Sequence, residues 1–391
     1  MSIRATMAGS WYRSKEIIRL VTKSPTGEIP SKYADKIEKA ERKAIRDQLH
    51  PGGSKVGLYA VSNGEQRKSS YTAFLPNRFH GFSESDRVHL LLSKEARQEM
   101  VESNPALLKS FTGGYPAHLL PKVESKLVYR GAALARDEAE DAAALAREEK
   151  APRIFIPSPS PGVVPIFFYK GKVYRDHREY VFDMSREMRE EYKAILSVDG
   201  VDLQIDAPDL AMAKVVAVDW NVDFFEALRY HVDAINEAIA GLPRERIRVH
   251  YCYGNRIGSH RQDADFARLL PELMRLKSST IVGEMANPAH EGDIMKLHDY
   301  LREHAWPKGL TLAAGVIDVK TPIVESAQTV AERLDRLAKI DKIGPERIMA
   351  GTDCGFETFV GVNHTTYAVG LQKLEAASVG AQLESERLKL D

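Results

Sequence analysis

A histidine, two cysteines and a glutamate stand where this chain could bind a metal. His250 and Cys252 are two residues apart in the sequence Arg-Val-His-Tyr-Cys-Tyr-Gly-Asn. If that stretch is a strand, both side chains face the same way. Glu284 ends the next apolar run, and Cys354 ends the last one. Imidazole nitrogen and thiolate sulfur are the ligand types that zinc prefers, so the set suggests a zinc site.

The same residues also have a plainer interpretation. A His-X-Cys pair on a strand is more often two core residues than two ligands, and a single buried cysteine is usually inert packing. What favours a metal is that both cysteines of the protein fall at predicted strand ends, together with Glu284. The spacing does not distinguish a catalytic metal site from a structural one.

The segments that must position these residues alternate between short apolar runs and longer amphipathic stretches. Such alternation implies a parallel sheet, and 391 residues fit a single (β/α)₈ barrel with the zinc site at the C-terminal mouth of the strands. The predicted strands are 5–10, 55–62, 126–130, 153–158, 201–208, 246–253, 279–286, 311–318 and 347–354. The predicted helices include 224–240, 264–277, 293–304 and 327–339. Nine strands for eight places leave one surplus, and we expect it to be 126–130, because its surroundings are helical and charged.

Residues 1–391 are expected to form one barrel domain with two insertions. The first covers about residues 64–109, is polar and aromatic, and follows the second predicted strand. The second covers about residues 131–150 and contains a run of Ala, Glu, Asp and Arg that predicts a solvated helix.

Composition argues against several classes of partner. Lysine plus arginine and aspartate plus glutamate both number 55, and the chain has no polybasic tract, so neither nucleic acid nor an anionic membrane is expected. No apolar run is long enough to span a bilayer, and the first ten residues lack the apolar core of a signal peptide. Two cysteines cannot make a disulfide framework, and a reducing compartment suits both as thiols. A cytoplasmic protein is therefore expected.

Seven motifs occur in a fixed order across about residues 5–360. They are Ala8-Gly-Ser10, Gly64-Glu65-x-Arg67, Leu203-Gln-Ile-Asp206-Ala-Pro208, His250-Tyr-Cys252, Glu284, Gly315-Val-Ile-Asp318 and Asp353-Cys354-Gly355. Together they resemble the C-terminal catalytic barrel of cobalamin-independent methionine synthase. The separate N-terminal barrel of that family has no counterpart here, so the resemblance implies a stand-alone catalytic barrel.

The resemblance implies zinc as the cofactor and assigns it four ligands: His250, Cys252, Glu284 and Cys354. It also places three residues where the family binds the amino and carboxylate groups of homocysteine: Ser10, Glu65 and Asp206. Carboxylates at a barrel mouth have an ordinary alternative as well. They are often solvated or paired with a neighbouring arginine, here Arg67 or Arg78.

The folate half of the family's site is largely replaced. The Glu that follows the aspartate in the family is Ala207 here, and a further Glu, six residues beyond the aspartate, is Met212. The family's Asp-Ile-His-Ser-Pro, whose His is thought to protonate the departing folate nitrogen, is Asp-Val-Lys320-Thr-Pro. The Trp-Ser-Phe folate platform is Phe167-Phe-Tyr. We therefore expect weak turnover with polyglutamylated methyltetrahydrofolate and better activity with an epoxide, a sulfonium or a methylated corrinoid.

Alkyl transfer from a donor to a small-molecule thiol bound to zinc is thus the leading prediction, with homocysteine methylation as its first form. The segment Asn287-Pro-x-His290-Glu is similar to a branch often called methionine synthase II, which resembles the epoxyalkane:coenzyme M transferases. Epoxide opening, or demethylation of a non-folate donor, is therefore the alternative, and a non-catalytic zinc-binding protein is the second. His260 and Lys320 are candidate acids for the leaving group, or equally salt-bridged surface residues. A homo-oligomer stays open.

Overall fold

Strands and helices alternate along the computed structural model, which describes residues 2–24, 26–89, 93–103, 119–168, 171–212 and 222–390. The strands are β1 (Arg4–Ala5), β2 (Ala60–Ser62), β3 (Phe79–His89), β4 (Leu119–Tyr129), β5 (Arg153–Pro159), β6 (Val201–Asp206), β7 (Ile247–Tyr251), β8 (Thr280–Gly283), β9 (Thr311–Ile317) and β10 (Ile348–Thr352). The helices of the described segments are α1 (Lys15–Thr22), α2 (Ala34–Leu49), α3 (Leu75–Arg78), α4 (Lys94–Ser103), α5 (Ala132–Glu148), α6 (Val163–Phe167), α7 (His177–Leu196), α8 (Phe224–Ala238), α9 (Phe266–Leu273), α10 (Asp293–Glu303), α11 (Ala327–Ala338) and α12 (Tyr367–Arg387).

Eight parallel strands form a nearly closed barrel in the order β1-β10-β9-β8-β7-β6-β5-β2. A parallel bridge between Thr6 and Ala60 joins the two ends of this sheet. Each barrel strand is followed along the chain by a helix, so the predicted (β/α)₈ fold is confirmed. One large hydrophobic cluster runs through the barrel and the helices around it. Among the described helices, none has the length and apolar character needed to cross a membrane.

The eight predicted barrel strands lie where they were expected, although most end earlier. Strand β6 stops at Asp206 because Pro208 has no N–H to donate and begins a short 3₁₀ turn, Pro208–Leu210. The surplus segment 126–130 indeed lies outside the barrel. It belongs to β4, however, which pairs antiparallel with β3 rather than standing among helices.

Helix α5 corrects the interpretation of residues 131–150 as a solvated insertion. The β3–β4 hairpin lies between β2 and α5 in the chain. After that hairpin, α5 takes the place of the second barrel helix. Its buried face is made of small residues at helical spacing, including Ala135, Ala139 and Ala142. One carboxylate of the charged run, Glu138, is also buried, and cations from the β2–β3 connection neutralise it. Because charged residues dominate this stretch of sequence, its buried alanine face was not predicted.

Candidate active site

Strand β7 and the residues after β10 bring three metal-binding side chains together. The ligand atoms of His250, Cys252 and Cys354 all lie within 4.8 Å of one another, and the two sulfur atoms are 3.9 Å apart. All three side chains are buried. His250 lies in β7 and Cys252 directly follows it, so the alternation of a strand turns both toward Cys354.

Hydrogen bonding leaves one nitrogen of His250 available as a ligand. Its Nδ1 lies 3.2 Å from the carbonyl oxygen of Val282, to which it can donate. Its Nε2 is buried and has no hydrogen-bond partner among the described residues. Histidines that bind metals commonly donate their other N–H to such a carbonyl, which fixes the ring.

The contact between the two sulfur atoms shifts the pKa values of the two cysteines in opposite directions. The hydrogen bond from the Cys354 thiol lowers the pKa of Cys252 to about 5, with help from His250 and against the effect of burial. The same contact, together with burial, raises the pKa of Cys354 well above its usual value. One imidazole nitrogen without a partner and two sulfur atoms in contact form a donor set that fits zinc.

Glu284 lies outside this three-residue group. Its Oε1 forms an ion pair with Nζ of Lys320 and accepts a hydrogen bond from Nδ2 of Asn287 at 3.1 Å. Its Oε2 accepts from the backbone N–H of Tyr253 at 3.1 Å. Both carboxylate oxygens are therefore occupied by nitrogen donors.

Asp353 shapes the loop that presents Glu284. Its carboxylate accepts hydrogen bonds from three successive backbone N–H groups at 2.7–2.9 Å, those of Met285, Ala286 and Asn287. Gly315 permits this approach, because a Cβ on it would lie 2.0 Å from Oδ1 of Asp353. The loop after β8 is thus tied to the residue that precedes Cys354.

Glu65 and Asp206 are buried, at 2% and 5% exposure, and both line a pocket beside the cysteines. No cationic side chain among the described residues forms an ion pair with either carboxylate. Burial and the neighbouring Asp206 raise the pKa of Glu65 to about 8, and burial raises the pKa of Asp206 to about 6. Asp206 accepts a hydrogen bond from Gln204 at 2.7 Å, while Oε2 of Glu65 has no partner in the described structure.

The arginines considered as partners for these carboxylates are engaged elsewhere. Arg67 pairs with Glu41 and Asp141, at 2.8 and 3.1 Å. Arg78 pairs with carboxylates from three other elements, Glu28, Glu138 and Glu191. The ordinary explanation of Glu65 and Asp206 as members of an arginine pair therefore does not apply.

Ser10 is fully buried behind the residue that follows Cys354. Its Oγ has no hydrogen-bond partner among the described residues, and its carbonyl accepts from the N–H of Phe356 at 2.9 Å. Gly355 is required there, since a Cβ on it would lie 2.0 Å from Oγ of Ser10.

Two aromatic side chains that the sequence did not single out, Tyr71 and Phe359, complete the pocket. Tyr71 makes edge contacts with Phe167 and Phe359, at ring-centre distances of 5.5 and 5.8 Å, and all three line the pocket with Asn255. Tyr71 lies in the connection between β2 and β3, and Phe359 lies in the loop after β10, where no spacing marks them. Asn255 could have been identified from the sequence, because it lies three residues after Cys252.

The two predicted acids are held by other groups, and neither is among the described residues that line the pocket. Burial acts to lower the pKa of Lys320, but Glu284 and nearby aspartates outweigh it and hold that pKa above its usual value. The Nδ1 of His260 lies 2.6 Å from Asp263, and its Nε2 lies 3.2 Å from the carbonyl of Arg256. Both residues are buried rather than on the surface.

His260 belongs to a second group of side chains with metal-binding atoms. Its ligand atom and those of Asp263 and His290 also lie within 4.8 Å of one another. Hydrogen bonds explain that closeness, because Oδ2 of Asp263 contacts both rings. Burial lowers the pKa of His290, but Asp263 and Asp293 raise it to about 9, so this ring is a cation within an ionic network.

A family model described as "Cobalamin-independent synthase, Catalytic domain" matches residues 168–377, more than half of the chain. The chain belongs to the cobalamin-independent methionine synthase family, a family of methyltransferases. The methionine synthase of Saccharolobus solfataricus is 25% identical over 305 residues, which are 75% of this chain and 78% of that one. The methionine synthase of Sulfolobus acidocaldarius is 22% identical over 384 residues, 98% and 93% of the two chains.

A solved structure agrees on the fold. The B12-independent methionine synthase from Shewanella sp. W3-18-1, in complex with selenomethionine, matches with a TM-score of 0.70 at 20% identity, over 100% of this chain and 99% of that one. The predicted family resemblance is thus confirmed. For this member of the cobalamin-independent methionine synthase family, the structure also locates the positions at which the sequence departs from the expected motifs. Met212 and Phe167 line the pocket, Ala207 is fully buried beside Asp206, and Tyr169 lies outside the described residues.

Proposed function

We propose that this protein transfers an alkyl group to a small-molecule thiol whose sulfur is activated by zinc. The observation that carries the proposal is the group His250, Cys252 and Cys354, which lines a pocket together with two unpaired buried carboxylates. Zinc bound there would keep the substrate as its thiolate at neutral pH, where a free thiol with a pKa near 8.5 is mostly protonated. We assign the metal to Nε2 of His250 and the two Sγ atoms, with Glu284 as an exchangeable fourth ligand.

The remaining residues suit an amino-acid thiol, and homocysteine is our first choice. Glu65 and Asp206 form a buried pair of carboxyl groups with no ion-pair partner among the described side chains, so a bound ammonium group would supply the cation that favours their ionised forms. The unpartnered hydroxyl of Ser10 lies next to the Cys354 segment and can donate to a substrate carboxylate. These side chains would hold the substrate so that its sulfur faces the cysteines.

Epoxide opening by a thiol, or demethylation of a non-folate donor, is the second candidate. Met212 and Phe167 favour it, because both line the pocket with apolar surface. The family resemblance implies folate-binding groups at these two positions. A non-catalytic zinc protein is a poorer explanation, since a structural metal site needs neither Glu65 nor Asp206. We further propose that residues 1–391 act as one catalytic unit in the cytoplasm, where a reducing environment keeps both cysteines as thiols.

The test is a turnover assay with zinc-loaded protein. Homocysteine is supplied in turn with methyltetrahydrofolate, a methylated corrinoid and a methylsulfonium, and coenzyme M is supplied with an epoxide. Products are identified by mass spectrometry, and Cys354→Ser serves as the control. Alkylated thiol from wild type alone supports the proposal. Tight zinc binding without turnover of any thiol would leave the non-catalytic alternative.

A further inference from the structure

The carboxylate of Glu284 is bound by three nitrogen donors of the protein itself. Lys320 forms an ion pair with it, and the two side chains are only 5% and 0% exposed. Asn287 and the N–H of Tyr253 satisfy the rest of the carboxylate, each at 3.1 Å. A buried carboxylate that has an ammonium partner and two hydrogen bonds is stable where it lies.

The metal-binding group is nevertheless close by. Glu284 directly follows β8, the neighbour of β7, which carries His250. Its Oε2 accepts a hydrogen bond at 3.1 Å from the N–H of Tyr253, the residue that follows Cys252. The carboxylate therefore has two candidate partners, the Lys320 ammonium and any cation held by the three-ligand group.

Charge decides what must happen when a substrate thiolate binds. Two thiolates and a neutral imidazole balance the charge of Zn²⁺. The fourth ligand, either Glu284 or the substrate sulfur, then adds one negative charge. If the substrate takes that place, Glu284 becomes an uncompensated buried anion unless a cation receives it. Lys320 already forms an ion pair with Glu284 and is therefore placed to receive it.

We propose that Lys320 is a positioning residue that holds Glu284 away from the metal and so keeps the fourth place open for the thiol. The inference rests on the proposed zinc function and gives Lys320 a role other than proton transfer. It has two consequences of opposite sign. Lys320 weakens zinc binding in the absence of thiol, because Glu284 must leave its ion pair to become a ligand. Lys320 strengthens thiol binding, because the displaced Glu284 keeps a partner.

Lys320→Met tests both consequences. Zinc affinity is measured by competition with a chelator, and thiol affinity by the sulfur-to-metal absorption of the cobalt-substituted protein. We expect zinc to bind about tenfold more tightly and the thiol about tenfold more weakly, within the usual range of coupling between sites. Lys320→Arg keeps the charge and should lie closer to wild type in both. Lys339→Met, which removes a surface lysine paired with Asp335, should change neither.

A double-mutant cycle shows whether the effect passes through the carboxylate. In a Glu284→Gln background, Lys320→Met should no longer change thiol affinity, because nothing anionic is displaced. If Lys320→Met does not fold, Asn287→Ala removes another contact that holds Glu284 and should shift both affinities in the same directions, by less. Weaker binding of both zinc and thiol, or an equal effect of Lys320→Met in the Gln background, would overturn the inference.

Failure of this inference can be told apart from failure of the proposed function. If wild-type protein binds no zinc, or if its cobalt form gains no sulfur absorption when thiol is added, both are wrong. If wild type does both and Lys320→Met moves neither affinity, only the role of Lys320 is wrong.

Discussion

Glu65→Gln removes a buried carboxyl group that forms no ion pair with any described cationic side chain. In the unfolded chain this glutamate loses its proton near pH 4.5, whereas in the folded protein burial and Asp206 raise its pKa to about 8. Between those values the unfolded state binds fewer protons than the folded state, so the stability of wild type falls as the pH rises. Glutamine has nearly the same shape and no proton to lose, so the variant escapes that loss.

The size of the effect follows from the pKa. One pKa unit is worth about 1.4 kcal/mol, so the penalty for wild type is roughly 1 kcal/mol at pH 5 and about 4 kcal/mol at pH 8. Urea denaturation of the zinc-free proteins at both pH values measures it. The free energy of unfolding of Glu65→Gln relative to wild type should rise by about 3 kcal/mol from pH 5 to pH 8. Homocysteine should stabilise the variant less than wild type.

Glu138→Gln is the matched control. Glu138 is equally buried, but Arg78 and Lys68 neutralise it at 2.7 and 2.9 Å, and they lower its pKa although burial acts to raise it. Removing its charge leaves the buried ammonium of Lys68 without its ion-pair partner and takes one of three carboxylates from Arg78, so this variant should lose about 3–5 kcal/mol at neutral pH. If Glu65→Gln were also less stable than wild type at pH 8, Glu65 would not be an uncompensated charge and its proposed substrate role would lose its basis.

Three further predictions address the metal, the loops and the donor. Cys252→Ser and Cys354→Ser should each lose zinc by metal analysis and lose turnover, yet keep the circular dichroism of the folded barrel, because the ligands lie at the C-terminal mouth of the strands. Arg256→Met should lower the free energy of unfolding by about 3–5 kcal/mol in urea, because it removes the arginine that pairs with two buried carboxylates, Glu99 and Asp263, each at 2.9 Å. With polyglutamylated methyltetrahydrofolate, steady-state kinetics should give a kcat/KM below about 10⁴ M⁻¹s⁻¹, the lower end of the ordinary range.

The barrel and the convergence of His250, Cys252 and Cys354 could be predicted because they depend on chain order. Parallel strands end at one mouth, so the residues that end β7 and β10 meet there wherever the helices lie. The orientation of Glu284 could not be predicted in this way. It depends on a lysine after β9, an amide in its own loop and one backbone N–H after β7, and none of these contacts has a sequence spacing. The buried alanine face of α5 was not predicted either, because charged residues dominate the composition of that helix.

The position of the candidate acids bears most directly on the donor. Methyltetrahydrofolate releases an amine nitrogen that must gain a proton in the transition state, and the loss of a positioned acid typically costs roughly 10²–10⁴-fold in rate. Lys320, where the family has its histidine, is bound to Glu284 with a raised pKa, and both nitrogens of His260 face oxygen atoms. The raised pKa of Glu65 does not supply the acid either, because an ammonium group bound beside it favours the ionised carboxylate. A donor whose leaving group departs without a proton, such as a methylsulfonium or a methylated corrinoid, does not need such an acid, so we expect it to react faster than the folate.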